Sequence, residues 1–141
     1  VALELPAARL APLLDDDVPA LGGTIVAQVD RAQLARGWPT ALQARAVWRD
    51  ATLGDGAVTL GEVVADAAVR PDGSIGGAMR DDGRGEVAVA GRYRILPLGW
   101  TLQLELTPRR DDARVRRALA RFGAPAADGR VVLRIKRGVV W

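Results

Sequence analysis

Between residues 98 and 107 the chain alternates between apolar side chains and polar or small ones. The apolar set is Leu98, Trp100, Leu102, Leu104 and Leu106. Because successive side chains of a strand point to opposite faces, this period of two predicts a strand with one buried and one solvated face. Such a strand needs neighbours in a sheet and something to cover its apolar face.

A helical pattern follows directly, over residues 111–122. Apolar side chains recur there at helical spacing and form one stripe: Val115, Ala118, Leu119 and Phe122. A carboxylate of Asp111 or Asp112 is expected to cap the helix N-terminus, and Gly123 is expected to end the helix in the left-handed conformation. The sequence therefore places one α-helix near the end of a strand-rich chain.

Further strands are predicted at residues 1–5, 24–30, 42–49, 60–70, 74–80, 85–95 and 131–136, with a short helix at 7–14 and a connection at 31–39. Tight-turn signatures separate several of them: Pro71-Asp72-Gly73, Asp81-Asp82-Gly83, Gly54-Asp55-Gly56 and Asp128-Gly129. Short links require antiparallel neighbours, so the topology is a meander.

A single, mainly β domain is therefore expected over residues 1–141. We predict a curved antiparallel β-meander, a half-barrel or open-barrel-like sheet, because many alanines and glycines at strand positions permit strong curvature. One C-terminal α-helix and a short N-terminal helix complete the predicted fold.

The chain contains no cysteine and no histidine. Thiolate nucleophiles, Cys/His zinc sites and imidazole bases are therefore excluded. Ser74, the only serine, lies beside a Pro-Asp-Gly turn and is interpreted as a turn residue. We expect a non-enzymatic protein with no catalytic, cofactor-binding or metal-binding residues, although a hydrolase with a carboxylate pair stays open at this point.

Acidic residues occur in three clusters, at residues 15–17, 81–82 and 111–112. A hard cation needs several oxygens converging on one point. None of the clusters has the spaced ligands of a calcium loop, so all three are interpreted as solvated turns or a helix cap.

A group of arginines on and just before the predicted helix is the charge pattern that most suggests a function. The candidates for partner binding are Arg110, Arg114, Arg117 and Arg121. They form either a solvated helix face or a contact surface for an acidic partner or anionic lipid headgroups. The net charge is only +3 with acidic residues interspersed, so no nucleic-acid binding is expected. No apolar run approaches the roughly 20 residues of a membrane span.

Several short segments follow one another along nearly the whole chain in a recognisable order. They are Leu5-Pro6-Ala7-Ala8-Arg9-Leu10, residues 23–29, Ala46-Val47-Trp48 with Ala51, Leu60-Gly61-Glu62-Val63, Pro71-Asp72-Gly73, Asp81-Asp82-Gly83, Gly91-Arg92-Tyr93, Leu104-Glu105-Leu106-Thr107-Pro108-Arg109, Ala118-Leu119 to Gly123 and Asp128-Gly129-Arg130. In this order they resemble the type II secretion system protein N (GspN) family.

The resemblance implies an accessory component of the machinery that exports folded proteins across the outer membrane. Members are longer, carry an N-terminal membrane anchor and face the periplasm, so the chain is expected to be part of a longer periplasmic region of an inner-membrane-anchored protein. Membrane anchoring would then come only from a segment absent from this chain. The expected partners are other secretion subunits, and the family supplies no catalytic motif or cofactor. The alternative is a β-groove protein of the cell envelope that binds lipid or another hydrophobic ligand.

Overall fold

Eight strands form one antiparallel sheet whose spatial order follows the sequence, in a computed structural model that describes residues 2–13, 20–54 and 58–140. The strands are β1 (Ala2–Pro6), β2 (Leu21–Ala35), β3 (Trp38–Leu53), β4 (Val58–Val69), β5 (Ile75–Asp81), β6 (Val87–Leu96), β7 (Gly99–Pro108) and β8 (Val131–Gly138). A 3-10 helix (Ala7–Leu13) follows β1, and the helix α1 (Ala113–Leu119) precedes β8. The predicted acidic cluster at 15–17 and the turn residues Asp55 and Gly56 lie outside the described residues.

The predicted fold class is confirmed. The sheet is an antiparallel meander with one C-terminal α-helix and a short N-terminal helix. Strands β1 and β8 each pair with a single neighbour, so the sheet is open rather than closed into a barrel.

The prediction of a connection at residues 31–39 is wrong. Strands β2 and β3 continue through this region and meet in a two-residue turn, Arg36-Gly37, where both φ angles are positive (54° and 78°). Positive φ at both central residues matches the right-handed twist of a hairpin. The register of β2 against β3 shifts between Val29 and Arg31 and again between Gln33 and Leu34. A bulge inserts one residue and changes which face the next side chain occupies, so the period of two is broken in the sequence.

The prediction of the helix is right at its start and wrong at its end. An Oδ1 atom of Asp112 accepts a hydrogen bond from the backbone N–H of Arg114 (2.9 Å), as an N-cap does. The helix ends at Leu119, however, and Gly123 has no positive φ. Instead, the N–H of Phe122 bonds to the carbonyl of Leu119 (2.9 Å), so a tighter three-residue turn satisfies the last carbonyls.

The hydrophobic core lies at one end of the sheet. Antiparallel hairpins place the β3–β4 and β5–β6 connections and α1 at one end, called the helix end. The turns 36–37, 70–74 and 97–98 lie at the opposite end, called the turn end. The main cluster of buried side chains comprises Ala51, Leu53, Val58, Leu60, Val63, Val87, Val89, Leu106, Val115, Leu119 and Val131. Helix α1 contributes Val115 and Leu119 to it, as its apolar stripe predicts.

The alternating stretch of residues 98–107 becomes β7, but its apolar face is only partly covered. Leu106 pairs with Val89 on one side and Val131 on the other, and all three are buried in the core. Further from the helix end, Leu102 and Leu104 are half-buried, and Leu98 in the β6–β7 turn is 67% exposed. Burial along β7 therefore depends on the distance from α1.

The side chain of Leu119 should carry much of the stability, because it is fully buried between α1 and the strand ends. Leu119→Ala is expected to lower the free energy of unfolding by about 2–5 kcal/mol, whereas Arg117→Ala, an exposed change in the same helix, should alter it by less than about 0.5 kcal/mol. Denaturant titration of both variants checks this, and similar losses would contradict the proposed core.

Candidate functional site

Two carboxylates around the β5–β6 turn form ion pairs with α1 and with the segment before it. The side chain of Asp81, at the end of β5, is 8% exposed and forms an ion pair with Arg109. It also accepts hydrogen bonds from the backbone N–H groups of Val89 and Gly83, both at 2.9 Å. Arg109 in turn donates its own N–H to the carbonyl of Glu86 (3.0 Å). These polar contacts therefore fix the direction in which the chain approaches the helix.

Glu86 is the second of these carboxylates. Its Oε2 accepts hydrogen bonds from the backbone N–H (2.9 Å) and the hydroxyl (3.2 Å) of Thr59, and its Oε1 forms an ion pair with Arg114. Arg114 also lies 3.9 Å from Asp112. Arg114, one of the predicted partner-binding residues, therefore joins α1 to the start of β4 through Glu86.

The other predicted arginines lie at the surface of the helix end. Arg110 is exposed and lines a cavity of about 310 Å³ together with Glu86, Asp112 and the 83–85 turn. Arg117 and Arg121 are exposed, and Arg121 borders a small cleft at Leu53 and Val58. Arg114 and Arg117 lie in α1, Arg121 follows the helix in the next turn, and Arg110 precedes the helix. All four are exposed.

The pKa values of these carboxyls are set by their partners. Burial disfavours the charge on Asp81, but hydrogen bonds from Val89 and Gly83 and the Arg109 guanidinium outweigh it and lower the pKa. Hydrogen bonds from Thr59, together with Arg114, lower the pKa of Glu86 in spite of its burial. A general acid needs a raised pKa, so the lowered pKa of Glu86 does not suit that role.

Elsewhere the acidic residues serve as turn caps. Asp72, Asp82 and Asp128 each accept the backbone N–H two residues ahead, at 3.0 Å. Ser74 is fully buried, and its hydroxyl donates to Asp72 at 2.6 Å, so it is a turn residue rather than an accessible nucleophile. In the described parts of the chain, no cluster of three or more acidic side chains is arranged to hold a metal ion.

Sequence reasoning missed a second group of cations, which we call the basic grid: Arg70, Arg92, Arg94, Arg134 and Lys136. They line one cavity of about 610 Å³ on the face of the sheet opposite the core. Gln103 of β7 lies between Arg92 and Arg134, and Thr101 lies between Arg94 and Lys136. The i, i+2 spacing of two cations in β6 and again in β8 was a signal, but only the strand register shows that both pairs flank β7.

A family model described as "Type II secretion system (T2SS), protein N" matches residues 1–134. The matched range contains β1 to β7, both helices and the first half of β8. No curated protein and no solved structure matches the chain significantly. Neither helix of the described chain has the length and apolar character needed to cross a bilayer.

The lowered pKa values predict acid sensitivity. A carboxyl whose pKa is lower in the folded than in the unfolded state stabilises the fold above its unfolded value, and this stabilisation is lost as pH falls through the folded value. The free energy of unfolding should therefore be level between about pH 5 and 7 and fall below about pH 4.

Denaturant titrations at a series of pH values test this. Asp81→Asn should reduce the acid-induced fall, because Asn cannot take up the proton that Asp81 binds on unfolding, whereas Asp128→Asn, in an exposed turn, should leave the fall largely unchanged. An unchanged pH dependence in Asp81→Asn would contradict the assignment.

Proposed function

The chain belongs to the type II secretion system protein N family, and on this premise we propose that it is a non-enzymatic assembly component that contacts other secretion subunits in the periplasm. Family membership makes it a component of the type II secretion system. The assembly role, the periplasmic location and anchoring in the inner membrane by a segment outside this chain are parts of the proposal.

The outward side of the α1 region is the observation that carries the proposal. Val115 and Leu119 face the core, while Arg117 and Arg121 are exposed and, within the described chain, form no ion pair. Arg110 extends this exposed charge toward the β5–β6 turn. Cations presented in and on either side of a short helix suit an acidic protein surface, because complementary charge speeds encounter and fixes orientation.

The internal contacts of Arg114 strengthen this proposal. Its ion pair with Glu86 holds the helix in place, so Arg117 and Arg121 are presented at a fixed position relative to the sheet. We therefore assign Arg114 a positioning role within the proposed partner surface, and Arg110, Arg117 and Arg121 the contacts themselves.

The open edges of the sheet offer a second type of contact. Strand β1 pairs only with β2 and is largely exposed, so its other side carries backbone groups that a partner strand can pair with. Strand addition gives affinity through main-chain hydrogen bonds, and side-chain pockets supply specificity. The β1 edge is therefore included in the proposed assembly surface.

Site-specific crosslinking in cells tests the proposal. A photoreactive residue at Arg117 is expected to capture another secretion subunit, whereas the same residue at Arg45, an exposed arginine of β3 away from α1, should not. With the photoreactive residue kept at position 117, a matched pair of charge reversals, Arg110→Glu/Arg121→Glu against Arg45→Glu/Arg49→Glu, should remove the crosslink only in the first case. Absence of secretion subunits from crosslinks at α1 and at the β1 edge would contradict the proposed role.

A second candidate function is the binding of a lipid or another hydrophobic ligand. It is favoured by the part of the apolar face that α1 does not cover. Ile25 and Val29 of β2 and Leu102 and Leu104 of β7 lie on this face and are only half-buried. A partly uncovered apolar face of a sheet is able to contact an acyl chain.

Native mass spectrometry of protein purified from cells tests the second candidate. A bound lipid should add its mass, and delipidation should remove it. Only the apo mass, from mild detergent-free preparations, would contradict this function and leave the assembly role in place.

A further inference from the structure

Five large apolar side chains of the described chain are exposed, with exposures between 38% and 68%: Leu3, Leu34, Ile95, Leu98 and Val139. Leu3 pairs with Ala27, midway along β2, whereas the other four lie at the turn end. Strand order explains the shared location: Leu34 precedes the β2–β3 turn, Leu98 lies in the β6–β7 turn, and Val139 follows β8. Apolar side chains that are exposed singly need no explanation, whereas contiguous ones mark an interaction surface.

Leu98 and Val139 are held side by side. The backbone N–H of Val139 donates to the carbonyl of Leu98 at 2.9 Å. Gly138 makes this approach feasible, since its φ is +69° and a Cβ there would lie 2.1 Å from the Leu98 carbonyl oxygen. Two apolar side chains thus project from adjacent, fixed backbones, and we call them, with Ile95, the apolar tip.

The basic grid begins next to the apolar tip. Arg94 precedes Ile95 directly, with its side chain on the opposite face of the sheet, and Lys136 lies three residues before Val139. Gly76, paired with Arg94, leaves the space that Arg70 occupies, because a Cβ at Gly76 would lie 2.6 Å from the Nε atom of Arg70. Arg70, which directly follows β4, therefore adds a further cation to the grid.

Few acidic side chains in the described parts of the protein neutralise the cations of the basic grid. Of the described residues that line the cavity, five are cationic and none is acidic. Arg94 pairs with Asp72 at 2.7 Å, whereas Arg70, Arg92, Arg134 and Lys136 form no ion pair within the described chain. Clustered like charges repel, so this arrangement suits an external anion. Between the cations, Thr101 and Gln103 add neutral hydrogen-bonding groups.

We propose that the turn end docks onto the surface of an anionic phospholipid membrane. The apolar tip enters the boundary between headgroups and acyl chains, and the basic grid contacts headgroup phosphates. An arginine guanidinium binds phosphate oxygens through two parallel N–H donors. A lysine ammonium binds them as a point charge. The combination of exposed apolar side chains with adjacent cations favours a membrane over an acidic protein, since interfacial binding uses both apolar burial and attraction to anionic lipids.

This docking goes beyond the proposed assembly role and uses the opposite end of the molecule. Helix α1 and its arginines are at the helix end, so subunit contacts and membrane contact do not compete for the same side chains. The two proposals can therefore fail independently.

Vesicle flotation with the 141-residue chain tests the inference. The protein should float with phosphatidylcholine vesicles that contain phosphatidylglycerol and not with phosphatidylcholine alone. Raising the ionic strength should weaken binding, because salt screens exposed charges beyond about 10 Å at 0.1 M.

Matched variants locate the contact. Arg92→Gln/Lys136→Gln should weaken binding by about 25-fold, since each cation near an anionic surface is worth about fivefold. Arg117→Gln/Arg121→Gln removes the same charge at the helix end and should bind like the unaltered chain. Leu98→Ser should weaken binding several-fold without changing the charge. These side chains are exposed, and unchanged thermal unfolding confirms that each variant is folded.

Three outcomes would overturn the inference. The first is absence of binding to anionic vesicles at low salt. The second is an equal loss in the grid and helix variants, which would indicate attraction to net charge alone. The third is binding of soluble polyglutamate through the grid without vesicle binding, which would point to an acidic protein partner instead.

Discussion

Packing of Val115 and Leu119 against the strand ends covers one end of the apolar face of an otherwise single-layered sheet. A sheet with one apolar face needs a second layer, and here that layer is one helix of two turns. Because α1 is so short, its position depends on side-chain contacts: Glu86 with Arg114, and Asp81 with Arg109. The buried cluster is consequently confined to the helix end, where strands β3, β4, β6, β7 and β8 contribute to it.

This confined core gives the two ends of the molecule different properties. At the helix end, carboxylates and arginines pair with one another and fix a rigid surface from which Arg117 and Arg121 project. At the turn end, apolar side chains stay exposed beside a grid of cations that lacks acidic lining residues. Half-buried apolar side chains of β2 and β7 lie between the two ends. A component that joins protein partners at one end and a lipid surface at the other is consistent with this arrangement.

Much of the fold was predictable because it rests on local signals. The alternation of β7, the Asp-Gly turns and the stripe of α1 each report a period or a turn type that neighbouring residues determine. The β2–β3 hairpin was not predictable in this way, since two register shifts hide its alternation and Arg36 takes a positive φ that glycine usually supplies. The early end of α1 likewise depends on hydrogen bonds of the following turn rather than on Gly123.

Functional sites were harder to predict, because they depend on register between distant segments. The arginines of α1 are close in sequence and could be selected directly, but the role of Arg114 depends on Glu86, 28 residues earlier. Arg92 and Arg134 flank Gln103 only because β6, β7 and β8 pair in a particular register. A sequence pattern identifies which residues are cationic, and only the sheet shows which of them share a face.

Amide hydrogen exchange resolved along each strand is the most direct test of a core confined to the helix end. Slow exchange is expected for β4 around Leu60, β6 around Val89 and β7 around Leu106. The same strands should exchange faster toward the turns 70–74 and 97–98. Uniform protection along the strands, or the slowest exchange at the turn end, would contradict the account.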